Sequence, residues 1–282
     1  MKARGNAKGI TRAVVGIVGA LFVLNAHAQT NTSTGSISGN NTLNGNRFKM
    51  TTVMEANSTL AERSSHLAKV NGSLLLHPSY QLTKNYNLSA AAYITQEAQG
   101  ATETALRNTI VRLSHRSFKV LKSNLSPSIA LTLPTSEEDR DKNTFQTAIS
   151  ARGVFSMKLI KGIDLSYLFD IKKNFHEYTQ NQEAKFNTEY GLRHFVSVSK
   201  DFTNTITGAV NFAYVTSLDY NGNLKSAFTS GQEIGFNVNK KTFLAFGHRN
   251  EGAATKADGV SSNIKIFDEN SSVVYSYVKI TN

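Results

Sequence analysis

The 282-residue chain contains no cysteine. It can therefore form no disulfide, offer no thiolate to a metal and carry no lipoprotein anchor, a composition that suits an oxidising compartment. Beyond Leu24 it lacks any apolar run near the ~18 residues that a membrane-crossing helix requires. Its seven histidines never fall at zinc-site spacing, HExxH is absent, and no glycine loop could cradle a phosphate. The segment Asp139-Arg140-Asp141-Lys142-Asn143 lacks the Gly and the closing Glu of an EF-hand and reads as solvated loop charge. No cofactor is implied.

What is present begins with an export pattern. Lys2, Arg4, Lys8 and Arg12 form a positive stretch, Ala13 to Leu24 an apolar run, and Ala26-His27-Ala28 an A-x-A cleavage site. These predict a signal peptide over 1–28 and a mature chain from Gln29. Residues 29–46 are rich in Asn, Thr, Ser and Gly without apolar periodicity, which predicts a flexible leader. The formal charge of +11 falls to about +7 without the four signal-peptide cations.

From residue 47 onward the chain alternates. Short basic turns centre near Lys84-Asn85, Val120-Leu121, Lys161-Gly162, Lys200-Asp201 and Lys240-Lys241, roughly 36 to 40 residues apart, the length of two ~10-residue crossing strands with a tight turn and a long loop. Between them, period-two series such as Tyr86, Leu88, Ala90, Ala92 and Ile94 against Asn87, Ser89, Ala91, Tyr93 and Thr95 give each strand one apolar and one mixed face. Acidic residues, among them Glu97, Glu103, Glu137, Glu138, Asp139, Glu183, Asp219 and Glu251, gather in the longer loops. The two ends thus differ in sign, and the basic excess is not a nucleic-acid patch. Pro127 falls within a strand, where a bulge near the rim would accommodate it. A loop is expected over 216–225, a short strand over 264–267, and aromatic girdles at both strand ends.

The pattern resembles the bacterial outer-membrane β-barrel class over about Phe48 to Tyr277: an all-β, up-and-down antiparallel transmembrane barrel of about twelve strands, or ten if the first or fourth is miscounted. Such proteins commonly end on an aromatic residue; here the last aromatic, Tyr277, lies five residues before Asn282. His115-Arg116-Ser117 is similar to the His-x-Ser element of outer-membrane phospholipase A. The Asn that follows in that family has no counterpart at Ser128-Ile129-Ala130, so an enzyme is not expected.

Strand parity directs Lys69, Arg112, Arg152 and Arg193, with Asp164, Asp170, Glu189 and Glu233, into the lumen, where charges must be paired or hydrated. These are the candidate selectivity residues. The favoured expectation is a small passive channel for small hydrophilic solutes. The alternative is a non-conducting structural, adhesive or receptor barrel acting through acidic extracellular loops, through which an extracellular ligand could bind. Expected partners are the bilayer, lipopolysaccharide and the outer-membrane assembly machinery, with no nucleic acid.

Overall fold

The computed structural model describes residues 47–61, 68–98, 103–160, 162–256 and 261–282. The expected signal peptide and leader lie outside these residues. The chain builds β1 (Phe48–Thr59), β2 (Val70–Gln81), β3 (Tyr86–Glu97), β4 (Thr104–Leu106), β5 (Thr109–His115), β6 (Phe118–Val120) and β7 (Ser123–Leu133). A one-turn helix, α1 (Glu137–Asp141), precedes β8 (Phe145–Ile160), β9 (Ile163–His176), β10 (Thr188–Asp201), β11 (Ile206–Asp219), β12 (Leu224–Asn237), β13 (Thr242–Ala253) and β14 (Ser272–Thr281). Each main strand pairs antiparallel with its neighbour in the chain, and β14 returns to β1 from Thr59↔Val273 to Thr51↔Thr281. The result is a closed antiparallel barrel of twelve strands, with β4 and β6 as short additions. Closure removes the unpaired edges that would otherwise seek another chain.

Alternation explains why these segments close around a lumen. In β3, Ser89, Tyr93 and Thr95 are buried inside, while Tyr86 and Leu88 are exposed outside. In β11, Asn211 and Ala213 are buried, and Val210 between strand neighbours is 62% exposed. Ile129 at 59% and Ile149 at 53% continue the outward apolar surface through the middle of β7 and β8. Apolar side chains left this open in mid-strand fit a hydrocarbon surround rather than water. No helix among the described residues is long and apolar enough to cross a membrane.

Several local expectations are corrected. The region 216–225 is no long loop: β11 and β12 run to Asp219 and from Leu224, and the Asp219 Oδ1 accepts from the Asn221 and Asn223 amides at 3.0 and 2.9 Å around Gly222, whose φ is 84°. β10 continues through Lys200 and Asp201, and the chain reverses over 202–205, where the Thr203 hydroxyl accepts from the Thr205 and Ile206 amides. Residues 264–267 form no strand; the local bridge is Thr255↔Ser262. The irregularity expected at Pro127 falls on one side only: the β7–β8 register is unbroken around Pro127↔Gly153, while β5 pairs with β7 only to Ser114↔Ser128 and β6 resumes at Phe118↔Leu125 with one extra residue on its side. A missing N–H costs little where there is no strand to receive it.

Candidate channel lumen

The inward face is divided into two walls. On the first, arginines that recur about every 40 residues reach one level from β5, β8 and β10. Arg112 Nη1 donates to Ser128 Oγ at 3.1 Å, and Ser128 lies opposite Arg152 in the β7–β8 register. Arg152 Nη2 donates to Asp170 Oδ2 at 2.8 Å, with both side chains largely buried. Asp170 in turn faces Arg193 across the β9–β10 pair, and the Arg193 guanidinium lies over the Phe195 ring at 5.6 Å. Arg112 and Arg193 both lie within electrostatic reach of Arg152, Asp170 and Tyr93. Three guanidinium groups therefore share one carboxylate, which the Lys172 ammonium on the same strand also feels.

The second wall is made by β12, β13, β14 and β1. Glu233 accepts from Tyr275 Oη at 3.0 Å and Tyr277 Oη at 2.9 Å. Arg249 Nη1 donates to Glu55 Oε1 at 3.0 Å, and the same oxygen accepts from Asn57 Nδ2 at 3.0 Å. The Arg249 guanidinium also lies 5.3 Å from the Tyr275 ring centre. Two glycines make room for these rings. A Cβ on Gly247 would come within 2.3 Å of the Tyr275 ring, and one on Gly235 within 2.1 Å of Phe243. Val53 packs against both Leu75–Tyr93 and Ala245–Tyr275–Tyr277, so apolar side chains occupy part of the interior beside this wall.

The structure thus brings Arg112, Arg152, Asp170 and Arg193 together and places Glu233 on the opposing wall. Asp164 is inward by the same alternation, at the short-turn end of β9 opposite Lys158. Lys69 precedes β2 at the rim and is exposed. Glu189 departs from its expected direction. A register shift between Thr188 and Tyr190 carries it to an ion pair with Lys173, whose ammonium lies 4.1 Å from the Tyr190 ring centre on the outward face. Phe243, at the short-turn end of β13, does not join an outer aromatic girdle but packs inside with Tyr277 at 6.0 Å between ring centres. Glu55, Arg249, Tyr275 and Tyr277 escaped sequence reasoning. In β14 both faces are apolar enough to be taken for the outer one, yet Val274 and Ile280 are the exposed residues. Parity in β1 would have placed Glu55 inward beside outward Met54.

The remaining candidates are structural in form. His115 Nδ1 lies 2.7 Å from the Arg116 carbonyl oxygen, and its ring meets Tyr86 and Phe118 edge-on; among the described residues no carboxylate or amide side chain orients it. The acidic 139–143 segment belongs to α1 and its exit. Ser136 Oγ accepts from the Asp139 amide as an N-cap, and the Asp139 carboxylate accepts from Asn108 and Asn143. Among the described residues no cluster of three or more metal-ligating side chains occurs. Long-loop carboxylates form local ion pairs, as in Glu138 with Arg107 and Lys142, Glu183 with Lys185, and Asp268 with Lys265. The Asp268 carboxyl is held below its ordinary range by the Lys265 ammonium and the Asn270 amide.

A closed twelve-stranded barrel with an apolar exterior and a charged interior has the fold of the bacterial outer-membrane β-barrel porins and channels. It is similar to the COG4313 outer membrane channel from Pseudomonas putida F1, with a TM-score of 0.60 and 9% identity over 88% of this chain and 99% of that one. The NanC porin gives a TM-score of 0.54 and 9% identity over 83% and 99% of the two chains. A KdgM porin determined with oligogalacturonate gives 0.50 and 8% identity over 82% and 98%. No protein-family model and no curated protein matches the sequence.

Proposed function

We propose that this protein is a passive channel of the bacterial outer membrane for small hydrophilic solutes, and that its lumen favours anions. It would be exported by a signal peptide cleaved after Ala28, act without catalysis, and have as partners bilayer lipid, lipopolysaccharide and the assembly machinery. The observation that carries the reading is the row Arg112, Arg152, Asp170 and Arg193, three guanidinium groups around one carboxylate. A net positive wall inside a low-dielectric cylinder concentrates anions and sets ion preference. One solved barrel of this fold, the KdgM porin, was determined with oligogalacturonate, and a short carboxylated solute is the class such a wall would admit here.

Single-channel recording in planar bilayers tests the proposal, with folding first shown by heat-dependent gel migration. Stepwise conductance with an anion-selective reversal potential is expected, moving toward cations in Arg112→Ala, Arg152→Ala and Arg193→Ala. Silence from folded protein would overturn the channel reading in favour of a filled barrel that works through its loops.

A further inference from the structure

The inward rows on either side of the arginines differ in kind. Toward the loops, Ser150 faces Lys172 and Lys172 faces Gly191, so positive charge continues with small residues beside it. Toward the short turns, Val154 faces Leu168, Leu168 faces Phe195 and Phe195 faces Ala213. These stand two residues from Arg152, Asp170, Arg193 and Val215 on their own strands and so share the inward face. One row further, Ser156, Ser166, Ser197 and Asn211 restore a polar lining. The lumen wall of β8 to β11 therefore carries a single apolar band next to the guanidinium groups. The band belongs to neither interior apolar cluster, since those are built on Leu75 with Tyr93 and on Ala245 with Tyr275 and Tyr277. Arg193 joins the band to the charge. Its guanidinium lies over the Phe195 ring, it forms no ion pair among the described residues, and its buried Nε has no hydrogen-bond partner.

We infer that the solute of this lumen is an amphipathic carboxylate, one acid group on an aromatic ring or short alkyl chain. Its acid lies at Arg152 and Arg193, and its apolar body lies on Val154, Leu168 and Phe195. The inference rests on the anion-channel reading above and narrows the solute. A planar guanidinium fork matches a carboxylate through two parallel hydrogen bonds. An apolar wall stabilises only a solute that brings apolar surface to it. A heavily hydroxylated acid would give up water there without replacing those hydrogen bonds. Alternate residues of a strand stand ~6.6 Å apart, a distance that one ring or a short chain spans from its own carboxylate. Lys172 extends the acid's side of the site toward the loops.

Block of chloride current in planar bilayers by benzoate and by glucuronate, two monovalent acids that differ in apolar surface, tests the assignment on the wild-type barrel. Benzoate should halve the current at about tenfold lower concentration than glucuronate. Leu168→Ser and Phe195→Ser should each close the gap between the acids, and Arg193→Ala should weaken benzoate block. Val210→Ser, on the outer face, should keep the gap. Heat-dependent migration shows that each variant is folded, and isothermal titration of the detergent-folded chain with the same acids reads the preference without conduction. Anion-selective conductance with equal block by both acids, a preference for glucuronate, or a benzoate preference that survives both serine variants would overturn the assignment and leave the channel reading standing. A silent barrel that binds benzoate over glucuronate would support the site and sink the channel reading; one that binds neither would overturn both.

Discussion

On the wall built by β5, β7, β8, β9 and β10, three guanidinium groups surround a single carboxylate, while on the wall built by β12, β13, β14 and β1 the acids are matched group by group. Glu55 has Arg249 and Asn57; Glu233 has two phenols. Both walls are inward, and both must satisfy charge away from bulk water. The second does so within itself, and its rings pack against glycine backbone. The first leaves positive charge over, which is available to something passing by. A barrel can thus separate the part that keeps it rigid from the part that meets a solute.

The largest test of that division is Asp170→Ala. It strips Arg152 of its partner in a mostly buried pair, a change that costs about 3–5 kcal/mol. Denaturant unfolding of the folded barrel should show that loss, and its reversal potential should become more anion-selective. Glu55→Ala on the other wall should cost less, because Arg249 keeps the Tyr275 ring and Glu251 at 3.9 Å. Equal losses would dissolve the distinction between the walls.

Next in size is Gly247→Val, which drives a side chain into Tyr275. Overpacking of this kind costs about 1–3 kcal/mol, and the unfolding midpoint should fall with little change in ion preference. Tyr275→Phe and Tyr277→Phe each remove one bond to a charged acceptor, worth about 1.5–3 kcal/mol. Because both phenols donate to Glu233, the double variant should depart from additivity in a double-mutant cycle. Additive losses would show that the phenols act separately.

The smallest effect concerns the connection before β14. The Lys265 carbonyl accepts from Asn250 Nδ2 at 2.8 Å and Ser230 Oγ at 3.4 Å, and Phe267 stacks on His248, so this segment lies on the outside of the second wall. Asp268 is depressed by Lys265 first and by the Asn270 amide next. A depressed carboxyl contributes stability above its unfolded pKa and loses it as pH falls through its lower folded value. Protease protection of residues 261–271 should therefore be constant near neutrality and decline only at pH below the ordinary carboxylate range. Asp268→Asn should remove the dependence.

Much of the architecture was readable from residue order because barrel strands carry their own address: each alternate residue must face lipid or lumen. Tyr86 to Ile94 and Thr147 to Phe155 stated their orientation directly, whereas a register shift before Thr147 buries Phe145 against His176. The reading failed where alternation was not an apolar-against-polar contrast. In β14, tyrosines point inward because glycines on β13 admit their rings, a relation between strands that no single strand displays. Glu189 turned outward because of a one-residue irregularity, and Asp219 closed a turn that its polar neighbours had made to look long. The arginine row was visible as a recurrence of about 40 residues, but the single carboxylate it shares emerged only when register placed Asp170 between Arg152 and Arg193.

The seam between β1 and β14 sets this chain's order of events. Every other main pairing joins strands that follow one another, whereas Thr51 and Thr281 meet across 230 residues. Hairpins can form as soon as both of their strands exist, but the seam must wait until the whole series is in place, and it bears the longest loop closure in the molecule. Shape is therefore decided early and cheaply, and permanence late, by a single zipper. A cross-link from β1 to β14 would slow unfolding far more than one placed within any hairpin.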